Sequence, residues 1–416
     1  MKNSQFKILH LSTSKFRGAG IAAFKLHLIL ENAGMASFFL SKESESRGYL
    51  YQILANIRKR FISDRYWNSI TNKNKNQSIY CLHSINDYKL DSFADKILKE
   101  TPFTPNVIFI HWVSGFINAK TIREIAQKTN ARIIWTMMDN APITGGCHYP
   151  WSCVGYEQEC GFCPGLKDKK AKTDNSFYTL SQKKSLLKDI DISILCFSEG
   201  DYSRALRSKV FNKEKIYKTF LPVNKNNFTP HQNIQALKKR WGIPMGKRIL
   251  LIGASNVQDE RKGLSLFYDA WQQAILENCL ILLVGKADNK YIKQLGKNVI
   301  FRGSVKENEL IECYQIADFF ICPSLEDSGP YMINQSLTCG TPIISFNIGI
   351  AIDLVKTDKT GYNCGKPSVN SLIKGLKYAC TINDSQLKGL KTNCRQVADK
   401  ELNDDKFIQS IYKITL

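Results

Sequence analysis

The sequence predicts an α/β protein with two doubly wound parallel sheets. Three observations carry this. Short, fully apolar runs alternate with segments of helical period. The alternation lapses once near the middle of the chain and then restarts. A glycine-bearing loop follows the first apolar run in each half. At 416 residues the chain is long for one domain and sufficient for two, each with its own core.

In the first half, residues 6–11 read as a buried strand, followed by the loop Arg17-Gly18-Ala19-Gly20. A helix follows with apolar residues at Ile21, Phe24, Leu28 and Leu30. Further strands are expected at 107–110, 131–135 and 192–197. The second half restarts at 248–253, an apolar run typical of a strand covered on both faces. Strands at 280–284, 298–301, 319–322 and 342–346 alternate with helices at 264–275, 307–316 and 331–337. The prolines and lost periodicity of 221–230 mark the linker. This divides the chain into domains 1–221 and 222–403, with a last helix, about 404–416, packing back on the first. Ligands of such folds bind at the carboxyl ends of the strands, which places the site in a cleft between the two domains.

Hydrophobic residues at 43% and charged residues at 23% exclude a disordered chain. No stretch approaches the ~18–20 apolar residues of a membrane span, and the first apolar run is too short for a secretory leader. The reading is a cytoplasmic protein. The net charge of +21 favours an anionic partner, whether nucleotide, nucleic acid or membrane face, and equally fits a lysine-rich solvated surface. No helix-turn-helix, RNA-recognition or finger pattern supports nucleic acid. A basic segment, Arg58 to Lys75, interleaves Tyr66 and Trp67 and carries an apolar stripe from Leu50 to Phe61. It reads either as an anionic-membrane contact, on the inner face of the membrane, or as a surface helix packed on its own domain. The lysines at 167, 169, 170 and 172 read as a solvated loop.

Of thirteen cysteines, nine are scattered and read as small buried hydrophobes in reduced form. Cys147, Cys153, Cys160 and Cys163 cluster, and the Cys160-Gly161-Phe162-Cys163 step has the shape of a metal knuckle. Four thiolates would hold a structural zinc, with His148 able to replace one. Four reduced or partly paired cysteines is the alternative.

The strongest motif runs from Phe320 through Ser324, Glu326, Asp327, Gly329 and Pro330 into Tyr331, Met332 and Gln335, ending Cys339-Gly340-Thr341-Pro342. A turn that opens a helix aims N–H groups and a positive dipole end at an anion, and a carboxylate before it can accept bonds from sugar hydroxyls. The motif resembles the donor site of retaining GT-B glycosyltransferases of family 4. In that family an acid follows Pro-Ser and a second acid lies eight residues on; here Asp327 (or its neighbour Glu326) and Gln335 take those places. The loop 253–263 resembles the family's second donor element, with Ser255 and Asn256 beside the donor. Lys262 and Arg261 would neutralise the departing diphosphate. The loop at Gly18 resembles the family's glycine loop.

Residues 135–149, with His111-Trp112 upstream and Cys153, Cys160 and Cys163 downstream, resemble a subgroup that builds bacterial surface polysaccharides, the colanic-acid type among them. That subgroup reads His-Asp where this chain has Met138-Asp139. The resemblance implies a retaining hexosyltransferase that needs no cofactor or metal at the reacting centre. It implies a UDP- or GDP-sugar donor, a glycan or lipid-linked acceptor, and Asp139 and His111 on the acceptor and sugar side. Because of Met138 and Gln335, a non-catalytic scaffold that binds a nucleotide or glycan stands as the alternative. A nucleotide-sugar epimerase would need acid–base groups in the cleft, and the chain has only six histidines.

Overall fold

The structure, a computed structural model, describes residues 5–16, 18–42, 79–167 and 171–415. The basic segment 58–75, Arg17 and Lys169–Lys170 lie outside the described residues. The chain divides into two compact units. One is Met1–Phe197 with Asp201–Thr219 and Ser410–Leu416; the other is Ser198–Gly200 with Phe220–Gln409.

The first unit holds a six-stranded sheet in the order β2-β1-β3-β4-β5-β6, parallel throughout. Its strands are β1 (Lys7–Ser12), β2 (Ala36–Ser41), β3 (Val107–Ile110), β4 (Arg132–Met137), β5 (Ile192–Cys196) and β6 (Ile216–Lys218). Leu9 pairs with Phe38 on one side and Ile108 on the other. Side chains alternate along each strand. Leu9, Leu11, Ile108, Ile110 and Ile133 therefore pack together in one hydrophobic layer. The opposite face buries something less usual: His10 and His111 stack with ring centroids 5.2 Å apart, and His10 Nδ1 lies 2.9 Å from His111 Nε2. At the end of the chain, Tyr412 packs edge-on against Phe6, and Arg132 Nη1 donates to the Ile414 carbonyl at 2.6 Å.

The second unit repeats the arrangement as β12-β11-β10-β7-β8-β9, again all parallel. These strands are β7 (Arg248–Asn256), β8 (Cys279–Lys286), β9 (Val299–Phe301), β10 (Phe319–Cys322), β11 (Ile343–Ser345) and β12 (Gly361–Asn363). Ile249, Leu251, Leu282 and Phe320 enter one hydrophobic layer, and Leu250, Ile252, Ile281 and Phe319 enter the other. A sheet covered on both faces needs apolar residues at every position, which is why these strands read as unbroken runs.

The edge strands β2, β6 and β12 are not unbroken apolar runs. They take their conformation from the neighbouring strand rather than from their own residues, and pattern reading misses them. The structure also differs from the reading of the scattered cysteines as single thiols. Cys279, at the start of β8, forms a disulfide with Cys380 in the helix Val369–Thr381. The two are 101 residues apart, so no local spacing announces the pair. No helix among the described residues is long and apolar enough to cross a membrane.

Candidate functional site

Each sheet reverses its direction of growth once, and ligands of doubly wound folds bind outside the carboxyl ends of the strands at that reversal. In the second sheet the reversal lies between β7 and β10. The loops leaving these two strands carry Lys262 and Asp327.

After a bulge between Gly253 and Asn256, the chain turns through Glu260–Lys262. Asp259 caps this turn, accepting from Arg261 N at 3.1 Å. Gly263 follows in the left-handed region at φ 67°, and a Cβ there would lie 2.0 Å from the Pro323 carbonyl oxygen. Only glycine lets the two loops meet so closely. Leu325 N then donates to the Arg261 carbonyl at 2.7 Å, tying one loop to the other.

This contact sets the central pair. Lys262 Nζ donates to Asp327 Oδ2, while Asp327 Oδ1 accepts from Gly329 N at 3.2 Å. Asp327 is buried and Lys262 keeps a quarter of its side chain exposed. An ammonium partly open to solvent, held by a buried carboxylate, is a fixed cation at the mouth of the loops. Arg261 behaves differently: its guanidinium pairs with Asp259, and it braces the turn. Ser255 and Asn256 lie exposed at the end of β7, with Asn256 Oδ1 accepting from Gln258 N. Glu326 is buried next to Asp327.

The helix Tyr331–Thr338 opens on Pro330, whose ring offers no group to cap the first N–H donors. Those donors and the dipole end suit an anion. Tyr331 Oη donates to the Pro222 carbonyl at 2.7 Å and Asn334 Nδ2 to the Leu221 carbonyl at 2.8 Å, which fixes the helix start. Gly329 has open space, its nearest neighbour being Ile350 at 3.8 Å from a notional Cβ. Met332 packs close to Gly253. Gln335 is buried, and its Oε1 accepts from Tyr314 Oη at 3.1 Å.

In the first unit, residues at the ends of β3 and β4 line a cavity of about 30 Å³, room for a water or two. Ser114, Thr136, Asp139, Asp87 and Lys183 line it together with His111. Asp139 Oδ2 lies 2.6 Å from His148 Nδ1, and His148 Nε2 lies 3.0 Å from Ser114 Oγ. Burial alone would raise the Asp139 carboxyl, but the His148 imidazole and the Ala141 N–H outweigh it and hold the group below its ordinary value. Lys183 Nζ donates to the Ala141 and Thr144 carbonyls, and burial pushes it down to about 8 against the pull of Asp87. His111 Nδ1 sits 2.9 Å from Thr136 Oγ1, and burial drives the ring down to about 3, so it is neutral. Sequence reading found Asp139 and His111 but did not join Asp139 to Ser114 and Lys183, which are distant in the chain. At the glycine loop, Gly18 has open space, whereas a Cβ on Gly20 would meet the Ser14 carbonyl oxygen at 2.0 Å.

The zinc expectation finds no support among the described residues. Cys147, Cys153 and Cys163 are near enough that each raises the Tyr80 phenol, a smaller effect than its burial. Among the described residues, however, no three His, Cys, Asp or Glu groups are arranged to hold a metal ion. Burial pushes the Cys160 and Cys163 thiols up to about 11 and about 12. The loop is braced instead by Asp174, which accepts from Cys163 N at 2.9 Å and caps the helix Asn175–Leu187.

Residues 233–397, which contain the Lys262–Asp327 pair and the helix Tyr331–Thr338, match the family described as glycosyl transferases group 1. The matched stretch lies within the second unit. The chain is 23% identical over 244 residues to alpha-monoglucosyldiacylglycerol synthase of Streptococcus pneumoniae, covering 56% of this chain and 50% of that protein. It is 28% identical over 144 residues to granule-bound starch synthase 1 of Ipomoea batatas, covering 33% of this chain and 24% of that protein. The chain thus spans half or less of the length of these curated relatives. Among solved structures, a glycosyltransferase from Rickettsia africae superposes with a TM-score of 0.66 at 16% identity, covering 99% of this chain and 97% of that one. Anabaena Alr3699/HepE in complex with UDP and glucose gives 0.63 at 13% identity, covering 98% and 99%. The two parallel sheets therefore belong to the GT-B fold.

Within the second unit, Lys262, Asp327, Gly329 and the helix start come together around one turn. Gln335 belongs to the same unit, but its amide oxygen is engaged by Tyr314. Tyr314 lies 21 residues away and carries no motif. The cysteine loop and Asp139 lie outside the matched residues.

Proposed function

We propose that this chain is a retaining glycosyltransferase that moves a hexosyl group from a nucleotide-diphosphate sugar to a glycan or lipid-linked acceptor in bacterial surface polysaccharide synthesis. The observation that carries the reading is the Lys262–Asp327 pair at the switch point of the second sheet, beside an uncapped helix start. In this reading Lys262 binds the diphosphate, Asp327 accepts bonds from the donor sugar, and the N–H groups at Tyr331 and Met332 face the negative charge. Glu326 supports Asp327, Arg261 stiffens the loop, and Asp139 with His111 belongs to the acceptor side.

The reaction balances without an enzymic base. The bond from the sugar C1 to the diphosphate oxygen breaks, and a bond from C1 to the acceptor oxygen forms on the same face. The leaving phosphate oxygen takes the acceptor proton. Negative charge grows on the diphosphate, so a positioned ammonium stabilises the transition state more than the ground state. UDP-sugars lead the donor list because HepE is similar in fold and was solved with UDP and glucose. A lipid acceptor is favoured by the relative named for glucosyldiacylglycerol synthesis. Such an acceptor would place the protein peripherally on the cytoplasmic membrane face.

The second reading, a nucleotide-binding scaffold without transfer, is favoured by one observation: Gln335 replaces an acid and is tied to Tyr314. The test is a thermal-shift panel of UDP-, GDP-, ADP- and dTDP-sugars followed by donor hydrolysis. A shift with one donor, lost in Lys262→Ala and accompanied by slow hydrolysis, supports the transferase. A shift without hydrolysis or transfer leaves the scaffold, and no shift with any donor overturns the donor site.

A further inference from the structure

The edge of the second sheet away from the donor loops, where β10 and β11 begin, holds a separate cavity of about 330 Å³. Its charged lining is entirely basic: His231, Lys391 and Arg395. Lys391 and Arg395 are four residues apart on the helix Asp384–Glu401 and so share one face. Pro230 and Ile234 supply an apolar wall, and Thr392 and Gln396 stand exposed at the rim.

Each basic group keeps capacity for a further partner. The Asn233 N–H donates to His231 Nδ1 at 3.0 Å, so Nδ1 is the acceptor and Nε2 carries the ring hydrogen. Among the described residues, Lys391 Nζ reaches the Ala317 carbonyl at 3.3 Å and an Asp318 oxygen at 3.8 Å, both long for an ammonium. Burial lowers Lys391, partly offset by Asp318, which is the condition of a cation short of counter-charge. Arg395 spends Nη1 on the Phe228 and Thr338 carbonyls and Nε on Asp399, leaving Nη2 of its fork.

Two cations and the His231 Nε2–H donor against an apolar wall, with hydroxyl and amide groups at the rim, match a phosphate monoester on a small polyhydroxylated body. We propose that this cavity is a second ligand site, for a sugar phosphate, distinct from the donor turn. The helix Tyr331–Thr338 joins the two places: it starts at the donor turn, and its Thr338 carbonyl accepts from Arg395. A ligand that tightens the Arg395 end stabilises the same helix whose other end faces the donor. The proposal stands on the cavity alone and holds whether or not the chain transfers sugar.

Isothermal titration of the full chain with glucose 6-phosphate tests it, with inorganic phosphate as the second arm. Lys262→Ala removes the cation of the donor turn and should leave glucose 6-phosphate binding intact. Lys391→Gln should weaken it at least tenfold. Thr392→Glu, which adds an acid at the exposed rim and removes no basic group, should do the same while the circular dichroism melt stays unchanged. Tighter binding of glucose 6-phosphate than of inorganic phosphate, with this pattern of variants, establishes the site. Binding lost in Lys262→Ala but kept in Lys391→Gln and Thr392→Glu overturns it. Absence of heat, or equal affinity for the two ligands, overturns it as well.

Discussion

Lys262 and Asp327 meet across two loops that are 65 residues apart in the chain, the ammonium donating to one carboxylate oxygen while Gly329 N donates to the other. The carboxylate therefore positions the cation and the turn together. A diphosphate that binds here shares Lys262 with Asp327, and Asp327 gains freedom to accept from a sugar hydroxyl.

Lys262→Ala is expected to abolish the thermal shift given by the donor and to cut donor hydrolysis roughly 10²-fold or more, the usual loss for one transition-state donor. Lys262→Arg should retain part of both. Asp327→Asn keeps the shape but removes the charge: the shift with the nucleoside diphosphate alone should persist, while hydrolysis of the sugar donor falls. Steady-state donor hydrolysis beside a thermal-shift titration separates these outcomes.

The glycines sort by geometry. Gly263→Ala places a methyl 2.0 Å from the Pro323 oxygen in a left-handed backbone, so it should lower the thermal midpoint and abolish donor binding. Gly20→Ala meets the Ser14 oxygen at the same distance and should destabilise the first unit. Gly18→Ala and Gly329→Ala have room and should fold as the parent does. Melting curves of the four variants check this, and a large loss for Gly18→Ala would contradict the packing described for the loop.

Tyr314→Phe removes the donor to Gln335 Oε1 and leaves a buried acceptor without that bond. The expected cost is about 1–3 kcal/mol, read as a lower urea midpoint for the second unit. Gln335→Leu in the same background should recover part of it, because the orphaned acceptor is then gone. If Gln335 instead serves only a ligand, Tyr314→Phe would leave the midpoint in place.

Acid should weaken the first unit. Burial depresses His111 to about 3, and burial with the neighbouring rings depresses His10 well below its ordinary value, whereas both titrate near ~6.5 when unfolded. For a base with a lowered folded pKa, the unfolded chain binds more protons as pH falls through that ordinary value. Stability is thus fully present above about pH 6.5. It declines below that, with the His111 share continuing down to about 3. At the neighbouring ring His27, Glu31 opposes the lowering caused by burial. Chemical denaturation between pH 7 and 4 should show this slope, and His10→Phe, which keeps the stacked ring among Phe39, Phe109 and His111, should flatten it.

The sequence by itself determined the fold class and the local turn that runs from Asp327 into the helix Tyr331–Thr338. Unbroken apolar runs such as those of β7 and β10 occur because both faces of each sheet are covered, and that requirement is written at every position of the strand. The turn through Asp327, Gly329 and Pro330 is local, so its glycine, acid and helix start are legible together. Tertiary structure decided what depends on distant residues. The edge strands β2, β6 and β12 are specified by the strand beside them. Tyr314 claims Gln335, and Asp259 claims Arg261, because packing and loop closure set which partner a side chain reaches. The Cys147–Cys163 spacing suits a metal, yet among the described residues no three such groups are arranged to hold one, and Asp174 holds the loop. Spacing along the chain reports which groups are neighbours in sequence, whereas coordination and proton affinity depend on where those groups point and what surrounds them.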